Sequence, residues 1–185
     1  MIELNKPYII PDDLVLVIER DPYPENPRQW DDFSTFVTNE FEYNSPDANP
    51  FSTYVELLNT VCTGDYYWDF VIRIDDEYQI MDETTYTKCA CGIIYVHKNH
   101  ARQSFPRIPN PILSAHNIFE SVIKDYNSWC RGDVLQYVLY SMDGDVLESC
   151  GGIYGDVKDV LDCLGLSEDE LEEAFEVKSY GRKES

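Results

Sequence analysis

Residues 133–150, DVLQYVLYSMDGDVLESC, carry the clearest β-hairpin pattern in the chain. From Val134 to Tyr140, apolar side chains occupy both alternating sets of positions, which is typical of a strand buried on both faces. Asp143-Gly144 is a strong two-residue turn signal, and Val146 begins the returning strand. The stretch therefore predicts an antiparallel pair whose first strand lies in the middle of a sheet.

Hydrophobic spacing predicts further strands and helices before this hairpin. The predicted strands are residues 14–18, 69–74, 78–81 and 92–96. Apolar residues at helical spacing predict helices at about 51–62 and 112–130. Together these elements predict a single α+β domain over residues 1–185, with a mainly antiparallel sheet and helices packed on it.

The two ends of the chain differ in character. Residues 1–50 combine a strand with a proline-rich loop region, in which closely spaced prolines restrict the backbone. Residues 156–177 predict two short acidic C-terminal helices. An apolar stripe from Val157 to Leu164 indicates the first, and the capping box Ser167–Glu170 opens the second.

The charge of the chain limits what the protein binds. The 185 residues include 35 acidic and 14 basic ones, which gives a net charge of −21 at pH 7. Phosphates require clustered Lys and Arg, so we expect no direct contact with nucleic acid and instead a partner with a basic surface. Spread over the whole surface, this charge is about one per 400–450 Å², roughly four times more dilute than on B-DNA. Imitation of DNA would require the acids to gather on one face.

Features of export and membrane insertion are missing from the sequence. No run reaches the roughly eighteen apolar residues of a membrane span, and the first residues lack a signal-peptide pattern. Six cysteines in such a chain indicate a reducing compartment. We therefore expect a cytoplasmic protein that does not interact with membranes; the sequence sets no oligomeric state.

Residues 148–156, ESCGGIYGD, raise the question of an active site. A phosphate loop is disfavoured because Glu148 and Asp156 would place carboxylates beside the phosphate. A thiolate nucleophile at Cys150 is also disfavoured, because nearby carboxylates raise the pKa of a thiol. Its base would have to come from one of the three histidines, His97, His100 and His116.

A structural role explains the same stretch better. Gly151-Gly152 would form the bulge or turn that ends the hairpin, and Gly155 would let the chain enter a helix capped by Asp156. The sequence therefore predicts no catalytic residue here and favours a protein that is not an enzyme.

Cys89 and Cys91 are the candidate zinc ligands. They form a C-x-C pair before a predicted strand. Structural zinc sites usually show two such knuckles, and alternate residues of a strand share one face, so both thiols fit equally well in a core. We therefore expect neither a metal nor a cofactor, and keep these two cysteines as the zinc candidates.

Several segments together resemble a known family. The matching segments are residues 26–36 (NPRQWDDFSTF, family pattern NPRxWDNxGTM), residues 92–96 (GIIYV, family pattern GxIYV) and residues 131–155 (family pattern xGxVYGYV…DSCWGFxG). Their order and spacing agree across roughly residues 20–156. The family consists of small proteins carried by phages, plasmids and other mobile elements of bacteria, mostly without an assigned function.

Two departures from the family pattern bear on function. A basic HRRY-like stretch is replaced by the acidic residues 38–43, and a CPWDSG segment is replaced by residues 87–92. If those stretches carry a family activity, this member has lost it or serves another task.

The resemblance and the charge together imply an anti-defence protein. Such a protein would inhibit a host machine that handles nucleic acid, either a CRISPR effector or a restriction enzyme, by docking its acids on the basic nucleic-acid surface as a DNA mimic does. The predicted contact residues are Asp31, Asp32, Asp75, Asp76, Glu77, Glu168, Asp169, Glu172, Glu173 and Glu176. Two alternatives stay open: a small metal- or cysteine-dependent enzyme, and a non-enzymatic accessory protein of phage replication.

Overall fold

A computed structural model describes residues 2–30, 33–39, 45–81, 90–106 and 111–173 of the chain. The chain divides into two compact units: the terminal unit, residues 1–25 and 128–185, and the central unit, residues 26–127. Each unit contains an antiparallel sheet and helices, so the predicted α+β class is confirmed. The prediction of a single domain stays a prediction, because it concerns how the two units associate.

Within the described residues, the elements follow one another in this order. The strands are β1 Pro7–Ile10, β2 Leu14–Arg20, β3 Thr35–Thr38, β4 Tyr66–Ile74, β5 Glu77–Ile80, β6 Gly92–His97, β7 Val134–Ser141, β8 Val146–Tyr154 and β9 Glu172–Glu173. The α-helices are α1 Tyr54–Thr63, α2 Lys98–Ser104, α3 Pro111–Arg131 and α4 Val157–Leu164. None of these helices is long and apolar enough to cross a membrane.

The terminal unit contains the sheet β8-β7-β2-β1-β9, in which all neighbours are antiparallel. Strand β7 is an interior strand of this sheet, between β8 and β2, as the apolar residues on both of its faces predict. Helix α4 packs on this sheet, where Val160 and Leu161 join a buried cluster with Leu16, Ile18 and Leu139. The strand pair and the first acidic C-terminal helix are therefore confirmed.

The second predicted C-terminal helix is wrong over the described residues. The capping box from Ser167 to Glu170 forms, but it holds a single 3-10 turn, Glu168–Glu170. Leu171 then turns to extended backbone, and Glu172–Glu173 pairs with β1 as β9. In a helix, the carboxylates of residues four positions apart would repel each other. The edge of β1 instead supplies backbone hydrogen-bond partners for an extended segment.

The central unit contains the sheet β3-β6-β4-β5 with a helix on each face. Neighbouring residues of a strand point to opposite faces. Val37 of β3 packs with Leu57 and Val61 of α1. Its neighbour Phe36 instead contacts Tyr126 of α3, with ring centroids 5.9 Å apart. The sheet therefore lies between α1 and α3.

Besides β9, three described strands and helices were not predicted from the sequence. They are β1, β3 and α2, which span four, four and seven residues. Short elements carry too few residues for a clear hydrophobic period, and β1 and β3 owe their conformation to pairing with β2 and β6.

Candidate functional site

The ESCGGIYGD stretch contains the predicted bulge at its two glycines, but the hairpin does not end there, because β8 continues to Tyr154. The Gly152 N–H donates a 2.9 Å hydrogen bond to Asp21 Oδ2, and a Cβ on Gly151 would lie 2.7 Å from the same oxygen. Gly152 has φ +71°, which favours glycine. Asp156 caps α4 by a capping box with Asp159. The two glycines thus let β8 bulge around a carboxylate.

Strand β8 pairs irregularly with β7. Leu135 faces Ile153 but Tyr137 faces Cys150, so one extra β8 residue is accommodated at the two glycines. A second shift separates the pairs Leu139–Glu148 and Tyr140–Val146. The regular ladder between the two bulges covers only residues 148–150 of β8.

The described residues do not support a nucleophilic thiolate at Cys150 or a zinc site at Cys89 and Cys91. Cys150 is exposed, and its thiol lies 3.6 Å from the Gly151 carbonyl oxygen. Cys91 is half-buried and its N–H donates to Val71, while Cys89 lies outside the described residues. Among the described residues no group of three or more His, Cys, Asp or Glu side chains could hold a metal ion. Zinc at Cys89 and Cys91 therefore stays a prediction.

Seven exposed carboxylates share one end of the terminal unit's sheet, which we call the acidic end. Leu14 pairs with Ser141, so the turn before β2 and the turn after β7 lie side by side. Ile9 pairs with Glu172, which places the 3-10 turn before β9 next to the same β1–β2 turn. The members of the acidic end are Asp12, Asp13, Asp143, Asp145, Glu168, Asp169 and Glu170.

The basic residues of this unit lie at the opposite end of the sheet. Among its described residues there are four: Lys6 before β1, Arg20 at the end of β2, Arg131 before β7, and Lys158 at the start of α4. The Arg20 guanidinium lies 3.2 Å from Asp133, so part of this positive charge is paired there. The described cations of the terminal unit thus lie away from the acidic end, and carboxylates such as Asp21, Asp133 and Asp156 lie among them.

The charge at the acidic end is dense. The terminal unit contains 20 acidic and 7 basic residues, a net charge of −13 out of −21. Five strands spaced about 4.8 Å apart, with a helix layer on them, give an end of roughly 400 Å². Seven carboxylates there amount to about one per 60 Å², compared with about one per 100 Å² on B-DNA. Backbone and side-chain hydrogen bonds from Ser167 lower the pKa of Glu170, so this carboxylate stays ionised to a lower pH than an ordinary Glu side chain.

The predicted contact residues do not all lie together. Glu168 and Asp169 belong to the acidic end, and the backbones of Glu172 and Glu173 form β9 beside it. The central unit contains Asp75 and Asp76 in the β4–β5 turn and Glu77 at the start of β5. Asp31, Asp32 and Glu176 lie outside the described residues.

Sequence reasoning missed five members of the acidic end: Glu170, which was noted only as part of a capping box, and the four residues of two turns. Asp12 and Asp13 bound the first predicted strand, and Asp143 and Asp145 flank the turn glycine of the hairpin. Each pair alone is typical of a solvated turn. The signal that joins them is the pairing of β2 with β7, which brings together residues about 130 positions apart.

A groove of about 900 Å³ in the central unit is a second candidate site. It lies against β4, the end of β5 and the first turns of α3. The lining side chains combine aromatic and aliphatic residues with four charged or titratable ones. They are Tyr66, Tyr67, Trp68, Asp69, Ile80, Met81, Lys98, Ile112, Leu113, Ala115, His116, Phe119 and Glu120.

A carboxylate–imidazole pair lies in the wall of this groove. His116 Nδ1 is 2.8 Å from Asp69 Oδ2, and His116 Nε2 is 3.5 Å from Glu120 Oε1. The hydrogen bond to Asp69 raises the pKa of His116, while burial raises the pKa of Asp69 against the opposing effect of His116. Lys98 Nζ lies 5.9 Å from the centroid of the Tyr67 ring. The groove thus combines an oriented imidazole with apolar walls.

Comparison of the chain with protein-family models, with curated proteins and with solved structures finds no match in any of the three. The resemblance to the family of mobile-element proteins therefore stays a prediction, and the arguments about function rest on the geometry of the two candidate sites.

Proposed function

We propose that the protein inhibits a host defence protein that handles nucleic acid by binding its basic surface through the acidic end. The observation that supports this proposal is the gathering of seven exposed carboxylates at one end of a sheet, away from the described cations of the same unit. A surface of this density offers a basic channel as many charges per area as DNA does. The targets we propose are a CRISPR effector or a restriction enzyme of a bacterial host.

The rigid turns make the acidic end suitable for such binding. Asp12 and Asp13 have φ of +67° and +55°, and Asp143-Gly144 closes a hairpin whose Gly144 N–H donates to Ser141. The backbone of such turns is held in place before binding, so little backbone entropy is lost on association. Charge complementarity would mainly raise the association rate and make the affinity depend on salt.

The test neutralises the acidic end and leaves the fold intact. The variant carries Asp12→Asn, Asp13→Asn, Asp143→Asn and Asp145→Asn. Asn tolerates positive φ as Asp does, and Asn-Gly suits the hairpin turn. The matched control removes four exposed charges elsewhere, Glu3→Gln, Glu25→Gln, Glu56→Gln and Asp65→Asn.

The assay measures inhibition of DNA cleavage by purified CRISPR effectors and restriction enzymes. At about 0.2–1 kcal/mol per exposed charge, the variant should bind a sensitive enzyme at least several-fold more weakly than the control does. Inhibition by the unaltered protein should also weaken between about 0.05 and 0.2 M salt. Equal inhibition by the variant and the control would contradict the proposal. Inhibition that does not change with salt concentration would contradict it as well.

A further inference from the structure

The groove of the central unit contains a pair of side chains with the spacing of metal ligands. His116 and Glu120 are four residues apart on α3, so they project from the same face of the helix. His116 Nε2 and Glu120 Oε1 lie 3.5 Å apart. With bonds of about 2.0–2.2 Å from zinc to nitrogen and oxygen, that separation corresponds to an angle of about 115° at the metal, close to tetrahedral.

Asp69 supplies the outer contact that such a histidine usually has. Its Oδ2 lies 2.8 Å from His116 Nδ1, which places the proton on Nδ1 and leaves the Nε2 lone pair directed away from the strand. Metal-binding histidines almost always donate their second ring N–H to a carboxylate, a carbonyl or water, and this contact fixes the orientation of the ring. The Asp69–His116 contact is therefore of the kind that accompanies a metal-bound histidine, and Nε2 of His116 is the nitrogen that remains for a ligand of the groove.

The contribution of Asp69, His116 and Glu120 to folding stability does not explain well why these polar side chains lie together. The Glu120 side chain is 60% exposed, so its pairing with His116 contributes at most about 1 kcal/mol. Asp69 stands mid-strand with a side chain only 27% exposed, where its desolvation is unfavourable. An apolar pair at positions 69 and 116 would link β4 to α3 without that cost. The polar pair is accounted for better by a ligand of the groove.

We propose that His116 and Glu120 bind a divalent transition-metal ion of the zinc or cobalt type, with Asp69 as the positioning residue of the imidazole. Two protein ligands leave two positions of a tetrahedral ion open to the groove, for water or a small ligand. With two protein ligands, such a site is weaker than a closed four-ligand site. It is independent of the acidic end.

The test titrates the full-length protein with Co²⁺ alone and, by competition, with Zn²⁺. We expect one ion per chain, with affinity reduced at least tenfold in His116→Gln and in Glu120→Gln. Loss of the outer carboxylate in Asp69→Asn should cost about 10- to 100-fold. His100→Gln and Asp75→Asn remove the same functional groups outside the groove and should bind Co²⁺ as the unaltered protein does.

A second measurement needs no variant and so does not depend on their folding. Two-dimensional ¹H–¹⁵N spectra of the histidine side chains should show Zn²⁺ shifting Nε2 of His116 and leaving His97 and His100 unchanged. Unshifted His116 resonances at saturating Zn²⁺ would overturn the proposal. So would a sulfur-to-cobalt charge-transfer band that persists in His116→Gln, because the ion would then be held by thiolates.

Discussion

Removal of the Asp47 carboxylate should destabilise the central unit strongly. Arg28 is almost fully buried, with 2% of its side chain exposed, and its guanidinium donates to both carboxylate oxygens of Asp47 at 3.2 and 2.6 Å. The same guanidinium donates to the Ser34 carbonyl oxygen, and Asp47 also accepts the Phe36 N–H. This network ties the NPRQW segment to the start of β3.

The expected size of the effect follows from this burial. Asp47→Ala leaves the Arg28 charge buried with only part of its hydrogen bonds and leaves the Phe36 N–H without its acceptor. Breaking one side of a buried ion pair typically costs about 3–5 kcal/mol. For a chain of this length that loss lowers the melting temperature by roughly 6–20 °C.

Urea unfolding followed by tryptophan fluorescence gives the free energy of unfolding. The control is Asp76→Asn, which removes the charge from an exposed Arg–Asp contact: the Asp76 side chain is 89% exposed and lies 2.9 Å from Arg73. Asn tolerates the positive φ of +68° at position 76 as Asp does. That change should cost less than about 1 kcal/mol. The double variant Arg28→Met with Asp47→Leu should recover much of the loss, because it removes both buried charges.

Similar losses in Asp47→Ala and Asp76→Asn would refute the reasoning, since burial would then not set the strength of the pair. A loss below about 1 kcal/mol for Asp47→Ala would do the same.

Three further changes test other parts of the terminal unit. Gly152→Ala should lower the free energy of unfolding by about 1–2 kcal/mol, because position 152 has φ +71°, and denaturant midpoints measure the loss. Asp156→Ala removes the cap of α4 and should cost about 1 kcal/mol, with reduced helical circular dichroism; an unchanged midpoint would contradict the capping role. The hydrogen bond to Glu148 raises the pKa of Tyr137 from 10.0 to about 12. The folding stability that this protonated phenol contributes is therefore fully present below pH 10 and is lost as the pH rises towards 12. Stability measured from pH 9 to 12 should fall less steeply in Tyr137→Phe.

Local patterns in the sequence predicted the elements that are defined by local interactions. The Asp143-Gly144 turn, the Asp156 cap of α4 and the stripe from Val157 to Leu164 all appear in the structure. Each depends on residues within a few positions of one another, where sequence spacing and spatial contact coincide.

The features that were missed depend on distant contacts. Strand β9 consists of two glutamates whose strand conformation comes from pairing with Tyr8 and Ile9. The acidic end exists because β2 pairs with β7, and the Asp69–His116 contact joins residues 47 positions apart. No periodicity within one segment indicates such neighbours, since long-range register is set by the whole core.

The double bulge of β8 has a consequence for how the protein behaves at high concentration. Val146 and Leu147 at its start are 61% and 56% exposed on an edge strand, a combination that invites strand-to-strand self-association. The two bulges limit the straight ladder to three residues, too short to template a second chain. Deletion of Gly152 would remove one bulge and lengthen that ladder, so we expect the shortened chain to form fibrils more readily.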